Sequence, residues 1–548
     1  MAAEAAGSLR DRSRQPGPGE RRRRPGDGAR LATVAYGVIA AVLVVFQLVV
    51  LARRQWVSDS WIHLGTVAEV VARPLDPREP LTGEAVDFPY YSPWAMVLGW
   101  TARLTSVGPG VVLAVAGTIS TVLFLLALYA LVRRLTRQVW APVIALLTLL
   151  LVHGTQQFFW SGFVSLNTFS VGSTWPWVPA AAGWFWLWRC TLPPPPPVSP
   201  LPPHPSPSSA ETAPAVTTTD STTVSPTPAR RPRTPWAFLV LPGLVLLVHP
   251  FTFAIAALSC AVTALATRPW SWTWRVGLLS LVSVCLTLLW PWQALSGLLG
   301  DPAGFDGYHA FFYRATMAKV GLCLLAVPAL VTRSVRLRGR DPLTWCFVAG
   351  WVVFGAGWAI GLESLARVLP LSEVSAALAL AVTLTARARV LRYGLRLVTV
   401  AALLAGSLGQ LPALTRLVTT EDGAPPARML VAPYPRLDVL WRHARPDDVV
   451  ISNNPIVARE FSSHRLRAVA PQWPSPGVAD AATRIADQRA MLARGTTTAR
   501  RAALLDRYDV RWIVWRGRTV PAWLGDSTSV VERGRDDTIL LRVDRPAT

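Results

Sequence analysis

Blocks of about 15–22 apolar residues, nearly free of internal charge and closed by arginines or turn residues, follow one another through most of this chain. Roughly 20 residues at 1.5 Å rise cross the hydrocarbon of a bilayer, so each block predicts a transmembrane helix. The blocks cover residues 31–51, 111–132, 139–153, 170–189, 236–249, 251–267, 276–290, 318–332, 343–361, 371–386 and 395–412, about 11 spans. Those at 139–153 and 236–249 are short and predict tilted or broken helices. The first block is too long and too far from the N-terminus for a cleaved signal, and reads as an uncleaved span.

Between and beyond the blocks the pattern changes. Residues 1–30 are rich in Gly, Pro and Arg and predict a disordered tail. Residues 191–235, with "LPPPPPVSPLPPHPSPSS", cannot build a core and predict a disordered linker. The loop at 52–110 holds a helix-like piece from Ser58 to Ala72 and a turn-rich stretch, "RPLDPREPLTG". It closes on "FPYYSPWAMVLGW", apolar but too short to cross, which predicts a helix lying along the membrane. After residue 415, "DDVVISN" and "VRWIVWRG" read as buried strands and "SVVERG" with "TILLRVDR" as a closing hairpin. "PRLDVLWRHAR" and "VADAATRIADQRAMLARGTTTARRAALLDRY" read as helices. The expected fold is mainly α: a polytopic helical bundle over 31–414, followed by a small α/β domain over 415–548.

The formal charge of +22 suggests nucleic acid at first sight. The arginines, however, stand in short blocks beside the apolar runs, at 21–24, 133–137, 230–233 and 333–340. That is the signature of cytoplasmic loops, and it argues against a nucleic-acid partner. It places the N-terminus in the cytoplasm of a cell with this chain in its plasma membrane. Eleven crossings then leave the 415–548 domain outside. Lys319 is the only lysine, a bias that genome composition explains without a special role for Arg. Of five cysteines, Cys260, Cys285, Cys323 and Cys346 fall inside spans and Cys190 at the end of one, a spacing that indicates neither a metal site nor a disulfide framework.

Candidate chemistry gathers near the outer face. The stretch "WVSDSWIHLGTVAEVV" sets Asp59 and His63 one helical turn apart, just after the first span. An acid on a helix facing the membrane is costly unless it is solvated or used. His153, His249 and His309 fall on the same side, with Glu69, Asp87, Asp301, Asp306, Glu363 and Glu373. Cations there are few, notably Arg314, Lys319 and Arg367. Carboxylates that can take a proton from a hydroxyl, beside cations that can hold a departing phosphate, suit a substrate with a phosphate leaving group. The plain alternative for each residue is solvation or snorkelling at the interface. The tail domain carries His443 and His464 with no nucleophile or metal spacing, and "SNNP" at Ser452–Pro455 reads as a turn.

The order "SDSWIHLGTVAEVV", a Pro-rich turn, then "FPYYSPWAMVLGW" resembles the first external loop of the GT-C superfamily of membrane glycosyltransferases. "RPDDVVISNNPIVAREFSSHRLRAVAP" with "ARRAALLDRYDVRWIVWRG" is similar to the external tail domain of bacterial members. The resemblance implies a hexosyl- or pentosyltransferase using a polyprenyl-phosphate sugar, with a glycan, lipid or protein acceptor. It implies Asp59 as general base, with His63 orienting it or touching sugar. It implies Arg367 in "LARVLP" as holder of the lipid phosphate, with Lys319 and Arg314 next. His249 in "LVHPFTF", His309, Asp306, Glu363, Tyr90 and Tyr91 are the implied substrate contacts. Two features depart from the superfamily pattern. Asp59 is followed by Ser60 rather than a second acid, and "GTQQFFWSGFVSLNTFSVGSTW" contains no acid, so a second carboxylate would have to come from Asp306 or Glu363. No cofactor is called for, and a divalent metal is not indicated. An inactive scaffold, a transporter or lipid flippase, and a ligase of lipid-linked glycans stand as alternatives.

Overall fold

The computed structural model describes residues 27–52, 56–193, 236–292, 307–386, 390–418, 437–472, 475, 477–534 and 537–544. The expected disordered tail before residue 27, nearly all of the 191–235 linker, and Asp306 lie outside the described residues.

The bundle opens with α1 (Asp27–Ala52), which starts four residues before the expected limit of the tail. It buries Tyr36, Leu43, Phe46 and Val50 and turns Val34, Val38, Val42 and Val45 outward. An apolar outer stripe of this kind is a lipid-facing surface. Next come α2 (Ser60–Ala72), α3 (Pro93–Thr105) and α4 (Pro109–Leu135), then α5 (Ala141–Leu151), α6 (Leu166–Gly172) and α7 (Trp177–Thr191). After the linker follow α8 (Ala237–Val248), α9 (Pro250–Thr267) and α10 (Trp270–Leu286). The bundle ends with α11 (Thr316–Val320), α12 (Val327–Arg336), α13 (Pro342–Ile360), α14 (Pro370–Thr385), α15 (Val390–Gln410) and α16 (Pro412–Val418).

Among the described residues, eight helical stretches are long and apolar enough to cross a membrane. The other three expected spans are shorter. α5 and α8 have 11 and 12 residues, about 17 Å of helix. The block at 170–189 is broken, because the chain kinks at Ser173–Pro176 before α7 begins. Pro176 cannot donate to Gly172 and its ring would collide with that turn. The block at 318–332 tightens into a 3₁₀ segment, Gly321–Ala326, where Leu322 donates its N–H to the His153 carbonyl at 2.9 Å.

α14 is the axis of the bundle and is buried along almost all its length. Its small residues admit close neighbours. Gly350 of α13 sits so near Ser372 that a Cβ there would lie 2.2 Å from its Oγ, and that hydroxyl donates to the Phe347 carbonyl at 2.7 Å. α7 and α9 are locked one turn at a time. The stacked indoles of Trp184 and Trp188 donate to Ser259 Oγ at 2.9 Å and Thr263 Oγ1 at 2.8 Å.

The tail contributes α17 (Asp438–Trp441), α18 (Pro455–Phe461), α19 (Ala481–Met491) and α20 (Thr498–Arg507) around one sheet. Its strands are β1 (Val449–Ser452), β2 (Arg467–Ala468), β3 (Val510–Arg516), β4 (Thr528–Arg533) and β5 (Thr538–Val543), in the order β2-β1-β3-β5-β4. β2, β1 and β3 run parallel, and β3, β5 and β4 antiparallel. The strands expected from "VVIS", "VRWIVWR" and the closing hairpin are present. The two-residue β2 and the helix α18 were not expected.

The sheet domain does not bury its core alone. Val450, Phe461, Leu466, Ala468, Val514 and Leu540 share one apolar cluster with Ile62, Val67, Val70, Phe88 and Met96 of the 56–108 segment. Ala468 donates its N–H to the Leu81 carbonyl at 2.7 Å. Arg467, almost buried, donates to Glu69 Oε2 at 3.1 Å, to Asp447 Oδ1 at 2.6 Å and to the Pro80 carbonyl at 3.2 Å. Glu69, buried on α2, also accepts from Arg73 at 2.7 Å. Removing one partner from a buried ion pair strands the other charge. Arg467→Ala should therefore destabilise the protein by on the order of 3 kcal/mol, read as a lowered thermal midpoint in detergent. Arg507→Ala, which breaks an exposed pair with Asp487, should change it by less than about 0.5 kcal/mol.

Candidate active site

Asp59 enters the site at the mouth of α2. Ser58 takes a left-handed φ of 51°, which turns the chain so that Asp59 occupies the N-cap position. Its side chain does not cap the helix; it acts electrostatically on Tyr90 and Arg367. His63, one turn on, packs edge-on against the rings of Tyr90 at 5.4 Å and Trp94 at 6.0 Å. Burial pushes its imidazole down to about 3, so it is neutral at ordinary pH. Tyr90 comes from the loop before α3. Burial, and then the charge of Asp59, raise its phenol, against Arg367 and Arg459. It therefore stays protonated and can donate.

Arg367 lies in the 3₁₀ segment Glu363–Val368 that leads into α14, with only 4 % of its surface exposed. One terminal nitrogen donates to Ser161 Oγ at 2.7 Å. The guanidinium carbon stands 4.4 Å from the ring centre of Phe251 and 5.5 Å from that of Trp160, close enough for both π faces to stabilise the charge. Its Nε has no hydrogen-bond partner among the described residues. A buried donor in that state is a place for a ligand oxygen.

His249 caps α9, with Nδ1 accepting from Thr252 N at 3.2 Å and lying 2.8 Å from Thr252 Oγ1. In the neutral ring the proton is therefore on Nε2. Arg367 and His63 both act on it electrostatically. His309 stacks on Phe312 and lies 5.6 Å from Phe251 and 6.3 Å from Trp160. These rings form an aromatic wall beside Arg367.

The structure thus groups Asp59, His63, Tyr90, His249, His309 and Arg367. Other sequence candidates stand differently. Lys319 donates to the carbonyls of Phe311 and Arg314, which ties its ammonium to its own loop. Arg314 is exposed. Tyr91 is buried, with its hydroxyl on the Arg78 carbonyl. Glu363 is half-buried at the start of its 3₁₀ turn. Ser161, Trp160 and Phe251 escaped the sequence reading, because nothing local marks a loop serine or an apolar ring as facing Arg367. Among the described residues no three His, Cys, Asp or Glu cluster as a metal site would require.

The His63 environment has a measurable consequence. Its folded pKa lies below the unfolded value, so below pH 6.5 the unfolded chain binds a proton that the folded chain refuses. Stability should fall on acidification from pH 6.5 towards 3, by up to about 1.4 kcal/mol per pH unit from this group. His63→Gln should give a flatter thermal midpoint between pH 6.5 and 4.5. Equal slopes would place His63 in contact with water.

No family model matches the sequence, and no curated protein does. Solved structures do. The arabinofuranosyltransferase AftD from Mycobacteria is 14% identical, with a TM-score of 0.50 over 94% of this chain and 40% of its own. A mutant form of AftD gives 15% identity and a TM-score of 0.51, again over 94% of this chain and 42% of its own. This chain therefore spans about two-fifths of AftD. An oligosaccharyltransferase of Archaeoglobus fulgidus is 14% identical, with a TM-score of 0.48 over 87% of this chain and 68% of its own. Over 94% of its length this chain shares the fold of the AftD structures.

Proposed function

We propose that this protein is a glycosyltransferase that moves a sugar from a polyprenyl-phosphate donor to a cell-envelope acceptor, with Asp59 as general base. The observation that carries the reading is the buried guanidinium of Arg367, held by Ser161, Phe251 and Trp160 with its Nε lacking a partner among the described residues, within electrostatic range of Asp59 at the start of α2 and of the Tyr90 phenol. A carboxylate and a cation near one donor group are what the transfer needs. The acceptor hydroxyl attacks the anomeric carbon while Asp59 takes its proton. The bond from that carbon to the phosphate oxygen breaks, and its electron pair leaves with the polyprenyl phosphate. Arg367, with its Nε directed at the leaving oxygen, offsets the charge that develops there. Tyr90 donates to the same oxygen or to the sugar. His63 holds Tyr90 in place through packing, and His249 offers Nε2–H as a further donor. The aromatic wall of Trp160, Phe251 and His309 gives a sugar face or a prenyl chain an apolar surface.

Orientation follows the charge. Arg134 and Arg268 both bond the Leu192 carbonyl, at 3.2 and 2.6 Å, so arginines of two spans meet beyond the end of α7. That end faces the cytoplasm. The tail domain packs on α2 at the end where α1 finishes and α4 begins, on the outer face of the plasma membrane.

The test is turnover of polyprenyl-phosphate pentoses and hexoses by the purified full chain. Asp59→Asn should reduce turnover by about 10²–10⁴-fold and leave the thermal midpoint in place. Turnover retained by Asp59→Asn overturns the base assignment. Failure of every polyprenyl-phosphate sugar, with turnover of a nucleotide sugar instead, overturns the donor class.

A further inference from the structure

His153 and Glu373 are both buried, and the chemistry above uses neither. His153 follows α5, and its Nε2 lies 2.6 Å from the Leu149 carbonyl oxygen and 2.7 Å from that of Val164. Carbonyl oxygens only accept, so Nε2 carries its hydrogen and donates to them. Leu149 belongs to α5 and Val164 closes the loop that follows it. One imidazole therefore ties the two ends of that loop together. Backbone bonds fix its start, since Leu322 donates to the His153 carbonyl and Gln156 to the Ala318 carbonyl, each at 2.9 Å. The closed loop carries Trp160 and Ser161, the two residues that hold the Arg367 guanidinium from this side.

The other ring nitrogen faces the element that presents Arg367. His153 Nδ1 stands 3.2 Å from Glu373 Oε2 in the first turn of α14, six residues beyond Arg367. Neither Glu373 oxygen has a hydrogen-bond partner among the described residues, so the imidazole beside it is what compensates the buried carboxyl. Two connections thus join the same two segments: Ser161 with Arg367, and His153 with Glu373. A single connection sets a distance, whereas two also set the angle between the loop and the entry to α14.

We propose that His153 is a positioning residue of the donor-phosphate site: by closing the loop and meeting Glu373 it holds Trp160 and Ser161 where they orient Arg367. The proposal rests on the reading of Arg367 given above. His153 acts through that arginine and not on the substrate. Its Nε2 is committed to two carbonyls and its Nδ1 faces Glu373, which leaves no ring nitrogen to move a proton for the transfer. Geometry of this kind decides affinity, because a guanidinium grips a phosphate through paired N–H groups in one plane and loses the pairing when that plane turns.

The experiment is a double-mutant cycle on the detergent-purified full chain, titrated with undecaprenyl phosphate and read as the rise in thermal midpoint. An anionic phospholipid of equal charge is the control for non-specific binding. Glu373→Leu should weaken binding by about 10-fold. Glu373→Gln, whose amide can still donate to Nδ1, should stay within about threefold of the wild type. Ser161→Ala should weaken binding as well. Since both contacts act on one guanidinium, the Ser161→Ala, Glu373→Leu double variant should lose at least about threefold less than the product of the two single losses. Should Glu373→Leu not fold, His153→Asn, too short to span both carbonyls, takes its place in the cycle. Wild-type affinity in Glu373→Leu, or single losses that multiply in the double variant, overturns the positioning role and leaves the reading of Arg367 standing. Absence of selective binding by the wild type overturns that reading, and the proposal with it.

Discussion

Arg367 keeps a full positive charge where water hardly reaches, and much of the architecture answers to that constraint. A buried guanidinium is costly unless its surroundings replace the lost hydration. Here two aromatic faces, the Ser161 hydroxyl and the charge of Asp59 do so, drawn from three parts of the chain. Ser161 and Trp160 are supplied by the loop after α5, Phe251 by the start of α9, and Asp59 by the mouth of α2. The 3₁₀ turn at Glu363–Val368 presents the arginine just before Pro370 fixes the start of α14. Arg367 is thus presented at the entry to α14, the buried axis of the bundle. Its Nε, without a hydrogen-bond partner among the described residues, is a donor for something that arrives from outside.

The second constraint is the docking of the tail domain. The five-stranded sheet forms one apolar cluster with its own helices and shares another with the first loop. Gly65 and Ser462 set the distance, and Arg467 with Glu69 sets the orientation. The same contacts hold α2, so the helix that presents Asp59 and His63 is clamped between bundle and sheet rather than left as a free loop. A carboxylate held in this way needs little reorganisation when a ligand binds, which is the physical content of preorganisation.

The spans were legible because lipid-facing and core-facing positions of a membrane helix are both apolar, and long runs survive any error in detail. The breaks were less so. Pro176 marks one of them, but the 3₁₀ stretch at Gly321–Ala326 arises from a backbone bond to His153, a long-range contact that no local pattern encodes. Asp59 stood out because an acid between tryptophans at a membrane boundary needs a reason. Arg367 stood out by resemblance to a superfamily pattern. Lys319 looked equivalent in sequence, and only the fold shows its ammonium bonded to two carbonyls of its own loop. Tyr90 and Tyr91 are adjacent, yet one faces the site and the other the core under Arg78, a difference that depends on how a turn packs.

The central claim is that a lipid phosphate binds where Asp59, Tyr90 and Arg367 converge. The most direct measurement is a cryo-electron microscopy map of the full chain with undecaprenyl phosphate. The account predicts phosphate density within about 3 Å of an Arg367 nitrogen, bordered by the Tyr90 hydroxyl and facing the Asp59 carboxylate. Ordered lipid phosphate on the opposite, arginine-rich end of the bundle, with the Arg367 pocket empty, would contradict it.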